Sequence, residues 1–201
     1  IVYASISNYT MSANIEYARL LTVNGSTSLT GNNLNNILYA GLSNDVLNGA
    51  GGIDTVSYAY VAAAVTVSLA TTAAQSTIGS GTDTLVNIEN MNGSGYNDTL
   101  TGNTTANTLN GGSGADRMAG GNGSDTYFVD NVGDLVIETN ATAATGGVDF
   151  VYTYLSSYTL AANLENARIL SAGTANLSGN GLNNILYAGA GNNVLNGGSG
   201  V

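Results

Sequence analysis

Large apolar side chains recur every nine residues through three stretches of the chain: Leu38, Leu47 and Val56; Leu100, Leu109, Met118, Tyr127 and Val136; Leu186 and Leu195. Polar residues, above all Gly and Asn, fill the intervals. The pattern predicts about three residues of strand, with one side chain turned inward, and about six residues of turn per unit. Val65, Val67 and Leu69 alternate as a half-buried strand does. Met11 to Leu21 has the propensity of a helix.

The unit is plainest where Gly111-Gly112-Ser113-Gly114-Ala115-Asp116-Arg117-Met118-Ala119 is followed directly by Gly120-Gly121-Asn122-Gly123-Ser124-Asp125-Thr126-Tyr127-Phe128. Both fit G-G-x-G-x-D-x-U-x, with U a large apolar residue. Looser units surround them, with Asp98, Asn107 and Asp134 in the sixth place. A second run carries Asn36, Asp45 and Asp54 there, and a third Asn184 and Asn193. Half-units end in Asp83 and Asp149. Eight of the 13 acids thus share one position. A longer period lies above this one: residues 2–23 align with 151–172 at 11 of 22 positions, and 29–53 with 177–201 at 17 of 25. The second copy stops at Val201, just before the counterpart of Asp54, so the chain reads as a window on a longer array. The boundaries expected are 1–28 (β segment), 29–57 (first run), 58–92 (inserted β segment), 93–137 (second and strongest run), 138–178 (inserted β segment) and 179–201 (third run).

Composition narrows the chemistry. The 201 residues include 28 Gly and 28 Asn, the residues of tight turns, and no Pro, Cys, Trp, His or Lys. No Cys means no disulfide framework and no thiolate nucleophile. No His removes the Ser-His-Asp triad and ordinary zinc sites. Three Arg against 13 acids, a net charge of −10, argue against a nucleic-acid partner. No apolar run is long enough for a transmembrane helix.

The tandem G-G-x-G-x-D units resemble the RTX, or haemolysin-type calcium-binding repeat, family. The segments from Ser57 to Leu69 and from Ser157 to Asn166 are similar to those of long RTX surface proteins. The resemblance implies an all-β fold, a parallel β-roll or β-helix solenoid with inserted β segments. It favours strand and turn over helix at 11–21. It also implies binding of several calcium ions, export by a type I secretion system and a secreted, extracellular or cell-surface location.

Elementary geometry runs alongside. Two half-turns make an 18-residue coil, and successive coils hydrogen-bond as parallel strands about 4.8 Å apart. So thin a stack has little core and needs another source of stability. Calcium takes six to eight oxygen ligands, and Gly turns leave carbonyls unhindered. Loops on one edge recur every 18 residues, which pairs Asp98 with Asp116, Asp116 with Asp134, Asn107 with Asp125 and Asn36 with Asp54. The candidate metal ligands are these residues with Asp45, Asp83 and Asp149, and the loop glycines Gly112, Gly114, Gly121 and Gly123. Asp45 has no acidic partner at residue 27 or 63. Neutral Asn184 and Asn193 allow stacked amide ladders in place of ions. Asn14-Ile15-Glu16, Asn87-Ile88-Glu89 and Asn163-Leu164-Glu165 suit a turn or capping device better than extra ligands.

The expected role is that of a calcium-rigidified structural segment of a large surface protein, filament, sheath, S-layer or adhesin, in contact with neighbouring repeats or other copies. The alternative is an RTX carbohydrate-binding or accessory module of a secreted enzyme, with polysaccharide as partner. Ice binding would want an unbroken Thr row, which Ile37, Val46, Arg117 and Leu135 interrupt. Carboxylates held in metal loops are poorly placed for catalysis, so no enzyme activity is expected.

Overall fold

The computed structural model describes residues 1–21, 25–140 and 146–200. Every regular element among them is a strand. The first coils hold β1 (Val2–Ala4), β2 (Asn8–Thr10), β3 (Tyr17–Leu20), β4 (Thr27–Thr30), β5 (Ile37–Tyr39), β6 (Asp45–Asn48) and β7 (Thr55–Ser57). An excursion follows, with β8 (Thr66–Ser68), β9 (Gln75–Ser76) and β10 (Thr82–Val86). Regular coils resume with β11 (Asn90–Asn92), β12 (Thr99–Thr101), β13 (Thr108–Asn110), β14 (Arg117–Ala119), β15 (Thr126–Val129) and β16 (Leu135–Ile137). The last coils hold β17 (Phe150–Thr153), β18 (Ser157–Thr159), β19 (Asn166–Ile169), β20 (Ala175–Ser178), β21 (Ile185–Tyr187) and β22 (Asn193–Asn196).

One wall is a continuous ten-stranded sheet, β1-β3-β5-β7-β11-β13-β15-β17-β19-β21. The facing strands form three sheets, β2-β4-β6-β10-β9, β8-β12-β14-β16 and β18-β20-β22. Pairing is parallel throughout these sheets except between β9 and β10. The chain is therefore the all-β parallel solenoid that nine-residue units imply. Leu38 pairs with Val56, Met91 with Leu109 and Leu109 with Tyr127, each one 18-residue coil apart. Residues 11–21 form a turn and β3, not a helix, because Ala18 is clamped between Val2 and Leu38 in the sheet.

The core is one file of side chains from each wall. Leu38, Leu47, Val56, Leu100, Leu109, Met118 and Tyr127 are fully buried, as the eighth-place pattern requires. Val65, Val67 and Leu69 join them. Leu186 is only half-buried and Leu195 is 41% exposed, whereas their counterparts Leu38 and Leu47 are at 0%. Strands β21 and β22 are the last of their sheets, so one flank of each carries no neighbouring strand among the described residues. Outside the ten-stranded wall, Phe128, Tyr152, Phe150 and Tyr187 form a run of rings with centroids 4.6 to 5.7 Å apart. The Arg19 guanidinium lies over Tyr60, 3.7 Å from the ring centre.

Leu109→Ala removes a side chain packed on both flanks, and is expected to lower unfolding free energy by about 2–5 kcal/mol. Leu195→Ala is expected to cost markedly less. Urea titration in saturating calcium compares the two, and equal losses would contradict the burial described.

Candidate metal centres along the solenoid edges

Each wall is entered from a turn whose last side chain reaches the backbone of the adjacent coil. On the ten-stranded side, the Asn36 N–H donates to Asp54 Oδ1 at 2.7 Å and the Asp54 N–H to Glu89 Oε2 at 2.7 Å. Further along, the Asn107 N–H donates to Asp125 Oδ1 at 2.7 Å, Asp125 to Asp149 Oδ1 at 2.8 Å and Asp149 to Glu165 Oε2 at 2.8 Å. On the opposite edge the Val65 N–H donates to Asp98 Oδ1 at 2.7 Å, Asp98 to Asp116 Oδ1 at 2.7 Å and Asp116 to Asp134 Oδ1 at 3.0 Å. The structure thus brings together Asp98 with Asp116, Asp116 with Asp134, Asn107 with Asp125, and Asn36 with Asp54. Asp45 also has column neighbours: the Thr27 hydroxyl bonds its Oδ1, and its own N–H donates to Asp83 Oδ1 at 2.9 Å. Simple 18-residue counting misses Asp83 because the β8–β9 excursion separates the two coils.

The sixth-place side chains divide by what becomes of their second oxygen. In one group the N–H four residues upstream caps it: Gly41 to Asp45 Oδ2 at 2.9 Å, Ser94 to Asp98 Oδ2 at 2.5 Å and Asp130 to Asp134 Oδ2 at 3.0 Å. Asp83 Oδ2 instead accepts the hydroxyls of Tyr58 and Thr77. In the other group, Asp54, Asp116, Asp125 and Asp149, Oδ2 is buried without a hydrogen-bond partner. The loops of this group hold left-handed residues in the second and fourth places: Ala50 (φ 73°) and Gly52 (φ 122°), Gly112 (φ 83°) and Gly114 (φ 134°), Gly121 (φ 102°) and Gly123 (φ 112°). Asp149 has Gly147 (φ 88°) in the fourth place. The Gly112 N–H is turned back onto Asn110 Oδ1 at 3.0 Å, away from the carboxylate. A Cβ at Gly112 or Gly114 would strike the carbonyl of Ser94 or Tyr96 in the preceding coil, so the motif glycines are needed for space as well as for backbone conformation.

Asparagines in the same columns are bonded at both ends. Asn32, Asn103 and Asn180 donate their N–H groups to the side-chain oxygens of Asn36, Asn107 and Asn184 at 2.7, 2.8 and 2.8 Å. The amide of Asn36 donates to Ile15 O at 3.0 Å, that of Asn107 to Glu89 O at 2.7 Å and that of Asn184 to Leu164 O at 2.8 Å. The Asn193 amide donates to Gly189 O and Gly191 O within its own loop.

A buried carboxylate oxygen with no donor is costly. Burial accordingly pushes Asp116, Asp125 and Asp149 up to about 7, and Asp54 and Asp83 up to about 6. The backbone N–H on each partly offsets this, and neighbouring carboxylates add to it: Asp98 and Asp134 beside Asp116, Glu138 and Glu165 beside Asp149. Hard anionic oxygens with carbonyl-lined Gly turns between them suit calcium, which accepts many oxygen ligands in flexible geometry. Asp54, Asp116, Asp125 and Asp149 are the residues that would hold it, and a bound ion would supply the charge neutralisation that their buried oxygens lack.

The Asn-Ile/Leu-Glu motifs do two jobs. Asn14, Asn87 and Asn163 are the left-handed turn residues, at φ 64°, 51° and 66°, as a turn device requires. Glu16, Glu89 and Glu165 then stand immediately before β3, β11 and β19, in the place that Asp or Asn holds elsewhere. Glu89 and Glu165 accept the column N–H bonds given above, so these motifs bring carboxylates to the ion edge as well. The signal was present in the fixed distance from Glu to the following strand. Glu138, buried beside Asp125 and Asp149, carried no motif at all.

A family model for the RTX calcium-binding nonapeptide repeat, four copies long, matches residues 22–56, 92–127 and 171–201. These segments make up just over half of the chain. No curated protein matches it.

The raised carboxylate values fix the sign of a pH effect. Their folded pKa lies above the unfolded value near 4, so the metal-free fold gains protons on folding. Their contribution to its stability is full below about pH 4 and is lost as pH rises through about 7, where Asp116, Asp125 and Asp149 ionise. Acidifying chelator-treated protein is therefore expected to restore β-sheet circular dichroism. In saturating calcium the slope reverses, because protons then compete with the ion. A chelated chain more structured at neutral than at acid pH would refute the assignment.

Proposed function

Because the chain belongs to the RTX calcium-binding repeat family, we propose that it is a calcium-stiffened structural segment of a secreted bacterial surface or extracellular protein, of the filament, sheath, S-layer or adhesin kind. The observation that carries this reading is the set of buried, donor-less oxygens on Asp54, Asp116, Asp125 and Asp149, spaced along a fold that is otherwise two files of apolar side chains. Calcium binding by these repeats supplies a reason for the carboxylates to be there. Proteins of this repeat family are typically exported by type I systems, which suits a chain that stays loose at low cytosolic calcium and folds at millimolar calcium outside. Asp54, Asp116, Asp125 and Asp149 carry the ions in this reading, with Glu89 and Glu165 beside them. Asn36, Asn107, Asn184 and Asn193 serve as neutral rungs.

A second reading, carbohydrate binding, draws on the rings of Phe128, Tyr152, Phe150 and Tyr187, which sequence spacing leaves scattered and the ten-stranded wall gathers on one outer face. Aromatic faces of this kind stack on the apolar faces of sugars.

Two measurements separate these readings. In a calcium titration followed by circular dichroism at neutral pH, the chelated chain should lose most of its β signal and regain it on calcium addition. Asp116→Ala should shift the midpoint to higher calcium more than Asp45→Ala, since Asp45 has both oxygens bonded. Equal shifts, or a β spectrum indifferent to chelator, would reject the structural reading. In a polysaccharide-binding screen, retention by the wild type that Tyr152→Ala abolishes would establish the second, and no retention would dismiss it.

A further inference from the structure

Three carboxylates meet in the interior where the turns enter β15 and β17. Asp125 and Asp149 are 1% exposed and Glu138 is 6% exposed. One oxygen from each lies within 4.8 Å of the others. One oxygen of each carboxylate is bonded within the protein: Asp125 Oδ1 accepts the Asn107 N–H, Asp149 Oδ1 the Asp125 N–H, and Glu138 Oε1 the Tyr127 hydroxyl. Asp125 Oδ2, Asp149 Oδ2 and Glu138 Oε2 have no hydrogen-bond partner. No Lys or His exists to neutralise them, and Arg117 and Arg168 are exposed.

The third carboxylate does not come from the repeat motif. Preceding loops open with Gly93, Gly102, Gly111 and Gly120, where a Cβ would collide with the loop's own sixth-place side chain. After β16 the connection to β17 is longer, since Tyr127 pairs with Val151 instead of a residue 18 further on. Glu138 occupies the opening place of that connection and Asp149 its last. Both lie outside the segments that match the repeat family, whereas Asp125 lies inside one.

We propose that Asp125, Glu138 and Asp149 form a three-carboxylate calcium site, distinct from the paired sites of the repeats, in which one ion ties both ends of the β16–β17 connection to the coil beneath. The proposal rests on the calcium-repeat reading above. Three hard oxygens with no nitrogen or sulfur donor select calcium, or a lanthanide as its probe, over transition metals. Three carboxylates around one ion give it a higher charge count than a pair, and hence tighter binding. Tyr127 sits against the site through Glu138, so a lanthanide bound there lies beside a phenol able to sensitise its emission.

The test uses the whole chain. Isothermal titration with calcium should show one ion fewer, or one site weakened by about tenfold or more, in Glu138→Gln than in wild type, the other sites being unchanged. Terbium emission excited through tyrosine should fall in Tyr127→Phe, a variant that keeps all three carboxylates. Wild-type calcium binding with an unaltered Glu138→Gln titration overturns this site and leaves the repeat reading standing. Absence of calcium binding by the wild type overturns both. Should Glu138→Gln fail to fold, undiminished terbium emission from Tyr127→Phe is the result that overturns the site.

Discussion

The bond from a backbone N–H to a carboxylate one coil along is the interaction on which the rest of the solenoid depends. It fixes the register between successive coils, and it does so at both edges. It also spends one oxygen of each carboxylate and holds the other in a buried place. How that second oxygen fares varies from loop to loop: Asp83 draws on the hydroxyls of Tyr58 and Thr77, while in other loops the second residue decides. The Ser94 N–H caps Asp98, whereas left-handed Gly112 leaves Asp116 uncapped. In these two loops the backbone of the second residue, more than the choice of acid, separates a capped carboxylate from an uncapped one.

The thin core makes this arrangement consequential. Most strands give the core only one or two side chains, so apolar burial is low for the number of glycines that must be ordered. The charge pattern fits the same constraint. With Lys absent, no ammonium is available to satisfy a column carboxylate in place of an ion. Arg19 lies over the Tyr60 ring.

Much of the fold was legible because the repeat is literal. Gly111 to Phe128 states strand, turn and inward residue twice over, and Leu100, Leu109, Met118 and Tyr127 stack as that pattern requires. The columns were legible wherever coils have 18 residues. They were hidden where coil length changes. Glu165 aligns with Asp149 only through a 16-residue coil, and Asp83 with Asp45 only across the β8–β9 excursion. Nor could spacing tell a capped carboxylate from an uncapped one. Asp98 and Asp116 look alike as sixth-place residues, and only the second-place neighbour, Ser94 or Gly112, distinguishes them. Glu138 stayed invisible because it occupies a place the motif reserves for Gly.

The division between bonded asparagines and uncapped aspartates is uneven along the axis. Asn36 stands near one end and Asn184 and Asn193 near the other, each with its amide bonded to protein. Asn107 and the uncapped Asp116, Asp125 and Asp149 stand between them, and the uncapped Asp54 lies in the coil next to Asn36. In a stack where each coil touches only its neighbours, stability is a local sum and not a property of the whole. Ion depletion therefore weakens the coils that carry Asp54, Asp116, Asp125 and Asp149, and spares those joined by asparagine alone.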